Sequence, residues 1–146
     1  AENTVKEALV HFPDDADLLF RWAQALGGSG NDQMGPVLNQ ALEANPNHID
    51  SLLSLVDHSI DAEDYQQADE IVQRIHSINP HQAEAWAYKA VMAHLDNDLS
   101  GEKEYRQNAL EHYTDNPKID HIIGKKLSQK YNHLLIVKLA TLFFKD

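Results

Sequence analysis

Apolar residues in this chain recur at steps of three and four, and the runs are cut at regular intervals. Leu19, Trp22, Ala23 and Leu26 share one helical face, "GGSGND" interrupts them, and Val37, Leu38, Ala41 and Leu42 resume the period. The pattern predicts a helix, a turn and a second helix. Larger breaks fall at Phe12-Pro13, Asn45-Pro46, Asn79-Pro80 and Asn116-Pro117, whose prolines lie 33, 34 and 37 residues apart, with Pro36 outside the series. Proline has no N–H to donate and pushes the residue before it into extended backbone, so each pair ends a helix. Residues suited to a helix start come next: Asp14 or Asp15, Asn47 with Asp50 three on, and His81 with Glu84 three on. The prolines therefore mark joints between successive helical hairpins, and a spacing of this kind signals a repeat architecture.

A single hairpin cannot cover its own apolar stripe. Stacking buries Trp22, Leu52, Leu55, Ile75 and Trp86 between neighbours, at about 1.5 to 3 kcal/mol for each large side chain.

These features resemble the tetratricopeptide repeat family. The second repeat supplies Leu52, Leu55 and Val56, then the turn "DAEDYQQA", then Ala68, Val72, Ile75 and Pro80. The third opens with Trp86, Ala90 and Ala93, and the first has Leu19, Trp22, Ala23 and Leu26 followed by Leu38, Ala41 and Pro46. Ala1, Val5, Ala8 and Pro13 match only a second helix, so the chain is expected to begin halfway through a repeat and to be a processed protein or a fragment. The expected organisation is a half repeat over 1–13, repeats over 14–46, 47–80 and 81–117, a partial repeat over 118–131 on Gly124, Leu127, Ser128 and Tyr131, and an apolar helix over 132–146. The third repeat departs from the pattern: Lys89 takes a leucine place, Tyr105 an alanine place and Ala109 an aromatic place. Residues 132–136 carry no Gly, Pro or Asp turn, which predicts either one long helix or an unusual pairing.

The resemblance implies an all-α fold, an α-solenoid of stacked antiparallel helical hairpins in a right-handed superhelix. It implies a non-catalytic scaffold without cofactor, whose first helices line a concave groove for an extended peptide or a partner helix. In this sequence the lining is expected to include Asp17, Phe20, Gln24, Asp50, Leu53, Ser54, Asp57, Glu84, Tyr88 and Val91. The family's clamp for the terminal carboxylate of heat-shock chaperones needs lysines, asparagines and an arginine on that face. Phe20, Gln24, Ser54, Glu84 and Tyr88 stand at the corresponding places and offer no cation. A basic or amphipathic segment fits better, with aromatic anchors for affinity and charge for association rate.

Charge sharpens that expectation. Residues 1–117 hold 21 acidic and 6 basic side chains, a net −15, whereas residues 118–146 hold 2 and 6, a net +4. An acidic body repels phosphate backbones, which argues against nucleic acid as partner. With 42% hydrophobic and 24% charged residues in 146, the chain suits one folded array. It has no cysteine, which excludes disulfides and thiolate chemistry. The opening "AENTVKEALV" lacks the charged leader and apolar core of a signal peptide.

At the carboxyl end, Lys138, Thr141 and Lys145 form a narrow polar stripe, and Leu134, Leu135, Val137, Leu139, Leu142, Phe143 and Phe144 cover the rest. The segment is too short to span a bilayer, which takes roughly 20 apolar residues. It is expected to cap its own array, to join two copies as a homodimer through Leu135, Leu139, Leu142 and Phe143, or to lie on a membrane surface.

Candidate chemistry is thin. "DNDLSG" starts like a calcium loop with Asp96, Asp98, Ser100 and Gly101, but Gln107 replaces the closing glutamate. "GGSG" lacks the Lys-Ser/Thr of a phosphate loop, and His58, His76, His94 and His112 show no metal-binding spacing, so no metal site is expected. Two alternatives to a free-standing scaffold are a non-catalytic repeat domain of a larger peptidase or transferase, and a self-assembling structural repeat.

Overall fold

The computed structural model describes residues 2–112 and 116–143, and within that range leaves aside the side chains of Glu2, His112, Asn116, 135–137, 139–141 and Phe143. The described residues form eight helices and no strand: α1 (Glu2–His11), α2 (Ala16–Gly28), α3 (Met34–Ala44), α4 (Ile49–Asp61), α5 (Tyr65–Ile78), α6 (Ala83–Leu95), α7 (Leu99–His112) and α8 (Asn116–Phe143). They fall into two compact units that divide at a proline joint, Ala1–Pro80 and His81–Asp146. In the first unit each helix packs on the next along the chain; in the second, α7 and α8 both pack on α6.

The Asn-Pro pairs act as joints. Asn45 (φ −139, ψ 99) and Asn79 (φ −142, ψ 98) end α3 and α5 in almost the same extended conformation, which the following proline favours, whereas Asn116-Pro117 opens α8 instead of ending a helix. The next helix starts later than the expected Asn47 and His81. Its caps are Asp15, His48 and Gln82. In the second joint the Asn45 Oδ1 accepts from the Asn47 N–H at 3.0 Å, which holds Asn47 inside the turn and hands the cap to His48.

The turns inside the hairpins are equally regular. Gly30, Glu63 and Asn97 adopt left-handed backbone with φ of 72, 60 and 59. Behind them the Asp64 N–H reaches the Ser59 carbonyl at 2.9 Å and the Asp98 N–H reaches the Ala93 carbonyl at 2.8 Å, closing the helix ends in the same way. Glycine fills this place only in the first hairpin, where the helix-ending role expected of "GGSGND" belongs to Gly30.

The core of the first unit is aliphatic. Leu38, Leu52, Val56, Ile60, Val72 and Ile75 are fully buried, each removing enough apolar surface from water to contribute roughly 1.5 to 3 kcal/mol. Trp22 and Leu55 are half-buried and pack against the cluster of Leu19, Ala23, Leu26, Val37, Leu38 and Ala41. Trp86 is also half-buried, so of the five large residues expected between repeats only Leu52 and Ile75 are wholly enclosed.

The second unit buries small residues along α6 and two isoleucines, Ile119 and Ile123, on α8. Ala83, Ala85, Ala87, Ala90, Val91 and Ala93 bury α6 on several sides, which lets neighbouring backbones come close. α8 is one helix from Asn116 to Phe143, with Pro117 in its first turn where the missing N–H costs nothing. It runs without interruption through residues 131 and 132, taking the first of the two arrangements expected there.

Candidate partner-binding surfaces

In the first unit the candidate groove residues sit on α2 and α4. Asp17, Gln24 and Asp50 are exposed; Phe20, Leu53, Ser54 and Asp57 are half-buried. The residue that joins the two helix starts is His48, absent from the sequence-based set. Its Nδ1 accepts from the Ser51 N–H at 3.3 Å and lies 2.7 Å from the Ser51 Oγ, so it caps α4. That leaves Nε2–H to donate to Asp17 on α2 at 2.8 Å. The Phe20 ring leans on the imidazole with centroids 5.6 Å apart and planes at 59°. One side chain thus gathers an exposed carboxylate and a half-buried aromatic ring. The signal for it was positional: His48 occupies the cap place that Asp15 and Gln82 hold in the flanking repeats.

A second tie fixes the same unit from behind, where the Arg74 guanidinium donates to the Pro46 carbonyl at the joint. This commits one of the three basic side chains among residues 1–80, which hold 14 acidic ones, for a net −11. The surface is therefore strongly anionic.

In the second unit the candidates on α6 fare differently. Val91 is fully buried and is a core residue, because α6 is enclosed by helices on more than one side; it lines no groove. The Glu84 carboxylate accepts from the Gln82 amide at 2.6 Å and pairs with the Lys118 ammonium of α8 at 3.3 Å. Tyr88 is half-buried. Lys89, standing in a leucine place, lies 4.8 Å from the Tyr105 ring centroid and 5.8 Å from that of Trp86, and the two rings stack 5.9 Å apart at 24°. A cation over two aromatic faces fills the space a leucine would fill.

A polar network missed by the sequence links all three helices of this unit. Glu102 on α7 accepts from His94 Nδ1 on α6 at 2.8 Å and meets Arg106 at 3.4 Å; Arg106 reaches Asp120 on α8 at 2.9 Å. His94 Nε2 meets the Tyr131 hydroxyl of α8 at 2.5 Å, with the rings edge to face. Burial pushes the Glu102 carboxyl up, but hydrogen bonding and charge from His94, and then from Arg106, outweigh it and hold the group below its ordinary range. Both imidazole nitrogens are engaged in joining helices.

Elsewhere the chemistry is structural. In "DNDLSG" the Asp98 carboxylate accepts from the Gly101 N–H at 2.9 Å at the start of α7, and the stretch is an interhelix turn. Among the described residues, no group of three His, Asp or Glu side chains is placed to hold a metal ion, and no helix is long and apolar enough to cross a membrane. Of the candidate self-association residues, Leu142 is exposed on α8, and the side chains of Leu135, Leu139 and Phe143 lie outside those described.

Comparison with known proteins follows the fold. No curated protein matches the sequence. The solved structure titled "MamA RS-1 ArsTM double mutant" is similar with a TM-score of 0.66 over 94% of this chain and 78% of that one, at 20% identity, which shows a shared fold. A family model described as tetratricopeptide repeat matches residues 35–93, from the first turn of α3 to the last turn of α6. Residues 35–93 are therefore similar to tetratricopeptide repeats, and they lie among successive antiparallel helical hairpins.

Proposed function

We propose that this protein is an interaction scaffold that takes a basic or amphipathic protein segment on the α2 and α4 faces of its first unit. The observation that carries the proposal is the cluster at the start of those helices: half-buried Phe20 held against His48, with the exposed carboxylate of Asp17 fixed beside it. A partly enclosed aromatic ring supplies an anchor, and a fixed acidic rim selects cations and speeds encounter. Gln24, Asp50, Leu53, Ser54 and Asp57 extend the same two helices with polar and half-buried apolar contacts. Glu84, already paired with Lys118, contributes less to a partner than an unpaired carboxylate would.

The experiment is a titration by fluorescence anisotropy with a labelled, lysine-rich amphipathic helical peptide and its Lys→Glu counterpart. The basic peptide binds, and added salt weakens it. Phe20→Ala weakens it by roughly tenfold or more, the loss expected of an aromatic anchor. Equal binding of the acidic peptide, or no effect of Phe20→Ala, removes the proposal.

A further inference from the structure

The side chains described on α8 change from a mix of buried and exposed to exposed alone after Lys130. Upstream, Ile119, Ile123, Lys126 and Lys130 are buried at steps of four, three and four. Downstream, Tyr131, Leu134, Lys138 and Leu142 stand on one face at steps of three, four and four, and all four are exposed, Leu142 to 67%. Three apolar side chains around one lysine make a face that water solvates poorly.

The end of α1, in the first unit, offers a matching surface. Val10 and Phe12, at the end of α1, are 78% and 64% exposed. Glu7 lies one turn before Val10, and Asp14 and Asp15 follow Phe12, all exposed. An apolar pair with carboxylates before and after it along the chain, Asp15 also accepting from the Leu18 N–H, is the complement of an apolar stripe that carries a lysine. The charges of the larger elements agree: residues 116–143 hold five lysines and one acidic residue, against the 14 acidic and 3 basic residues of 1–80.

We propose that residues 131–143 of one copy dock on the end of α1 and the following turn of a second copy, with Lys138 facing the carboxylates of Glu7, Asp14 and Asp15. The two faces are different, so the contact is head to tail. Copies joined head to tail add in series, giving a ring where the rotation between them closes and an open chain where it does not. The contact does not use the Phe20 surface, so Phe20→Ala leaves it intact, and its failure is separable from that of peptide binding.

Light scattering on a sizing column tests this with the 146-residue chain. The wild-type mass rises with concentration from 16.5 kDa to twice that value or more. A head variant, Val10→Asp with Phe12→Asp, and a tail variant, Leu134→Asp with Leu142→Asp, each remain monomeric with unchanged helical circular dichroism. Mixed in equal amounts, they form a complex of two chains and nothing larger, because one has only a working tail and the other only a working head. Lys138→Glu moves assembly to roughly tenfold higher concentration. A wild type that stays monomeric, a head or tail variant that still assembles, or a mixture that stays monomeric overturns the proposal. Serine replacements at the same four positions serve if an aspartate variant loses helicity.

Discussion

Between the helices of residues 1–80 lie large aliphatic side chains, Leu38, Leu52, Val56, Ile60, Val72 and Ile75, whereas α6 in residues 81–146 meets its neighbours mainly through alanines. The first arrangement keeps helices apart and gains most from apolar area. The second buries a mostly alanine face of α6 together with Ile119 and Ile123 of α8, and adds polar ties: Glu84 with Lys118, the network on Glu102, and Lys89 over two rings. Both units use the same left-handed hairpin turn, at Gly30 and Glu63 in the first and Asn97 in the second, so that turn does not force either choice of core. A repeat array tolerates such variety because each hairpin has only to fit its immediate neighbours.

Substitutions that change volume should separate the units most strongly. Leu52→Ala leaves a cavity at a fully enclosed site and should cost about 2 to 5 kcal/mol. Ala90→Leu overfills the close contacts of α6 at a cost of about 1 to 3 kcal/mol. Hydrogen exchange should show the first change opening residues 1–80 before 81–146, and the second the reverse. Equal loss of protection in both units would mean that the cores are not independent.

Turn chemistry gives the next effect. Gly30→Ala forces a side chain into left-handed backbone and should cost about 1 to 2 kcal/mol in thermal or urea unfolding. Nothing crowds a Cβ at that position, so the whole penalty is conformational. Asn97→Gly at the equivalent turn should be neutral or slightly stabilising. A neutral Gly30→Ala would show that the first hairpin does not need the turn it shares with the others.

Acid should act on the second unit through Glu102. Its folded pKa is depressed, so the stabilisation is fully present above the ordinary value of 4.5 and is lost as pH falls through the lower folded value. Glu102→Gln should cost on the order of 1 kcal/mol at neutral pH and flatten the acid dependence of residues 81–146. An unaltered pH profile would sever the carboxylate from the stability of that unit. The smallest change is Lys118→Ala. Its pair with Glu84 is partly solvated, and the loss should stay below about 1 kcal/mol, with a salt sensitivity that the Leu52→Ala variant lacks.

Local sequence was enough to place the two joints at Asn45-Pro46 and Asn79-Pro80. Helical periodicity, the extended residue before proline and the carboxylates near helix starts are properties of a few neighbouring residues, so Asn45-Pro46 and Asn79-Pro80 could be read as joints without any tertiary knowledge. Even there the cap shifted by one residue to His48, because an Asn45 turn bond and a partner on α2 chose it. Only the tertiary structure decided which surface residues act together. His48 meets Asp17 across 31 residues, Glu84 meets Lys118 across 34 and His94 meets Tyr131 across 37. It also turned Val91 from a candidate groove residue into core. Such pairings depend on how one helix is set against another. That setting comes from the summed packing of buried faces, and no short stretch of chain encodes it.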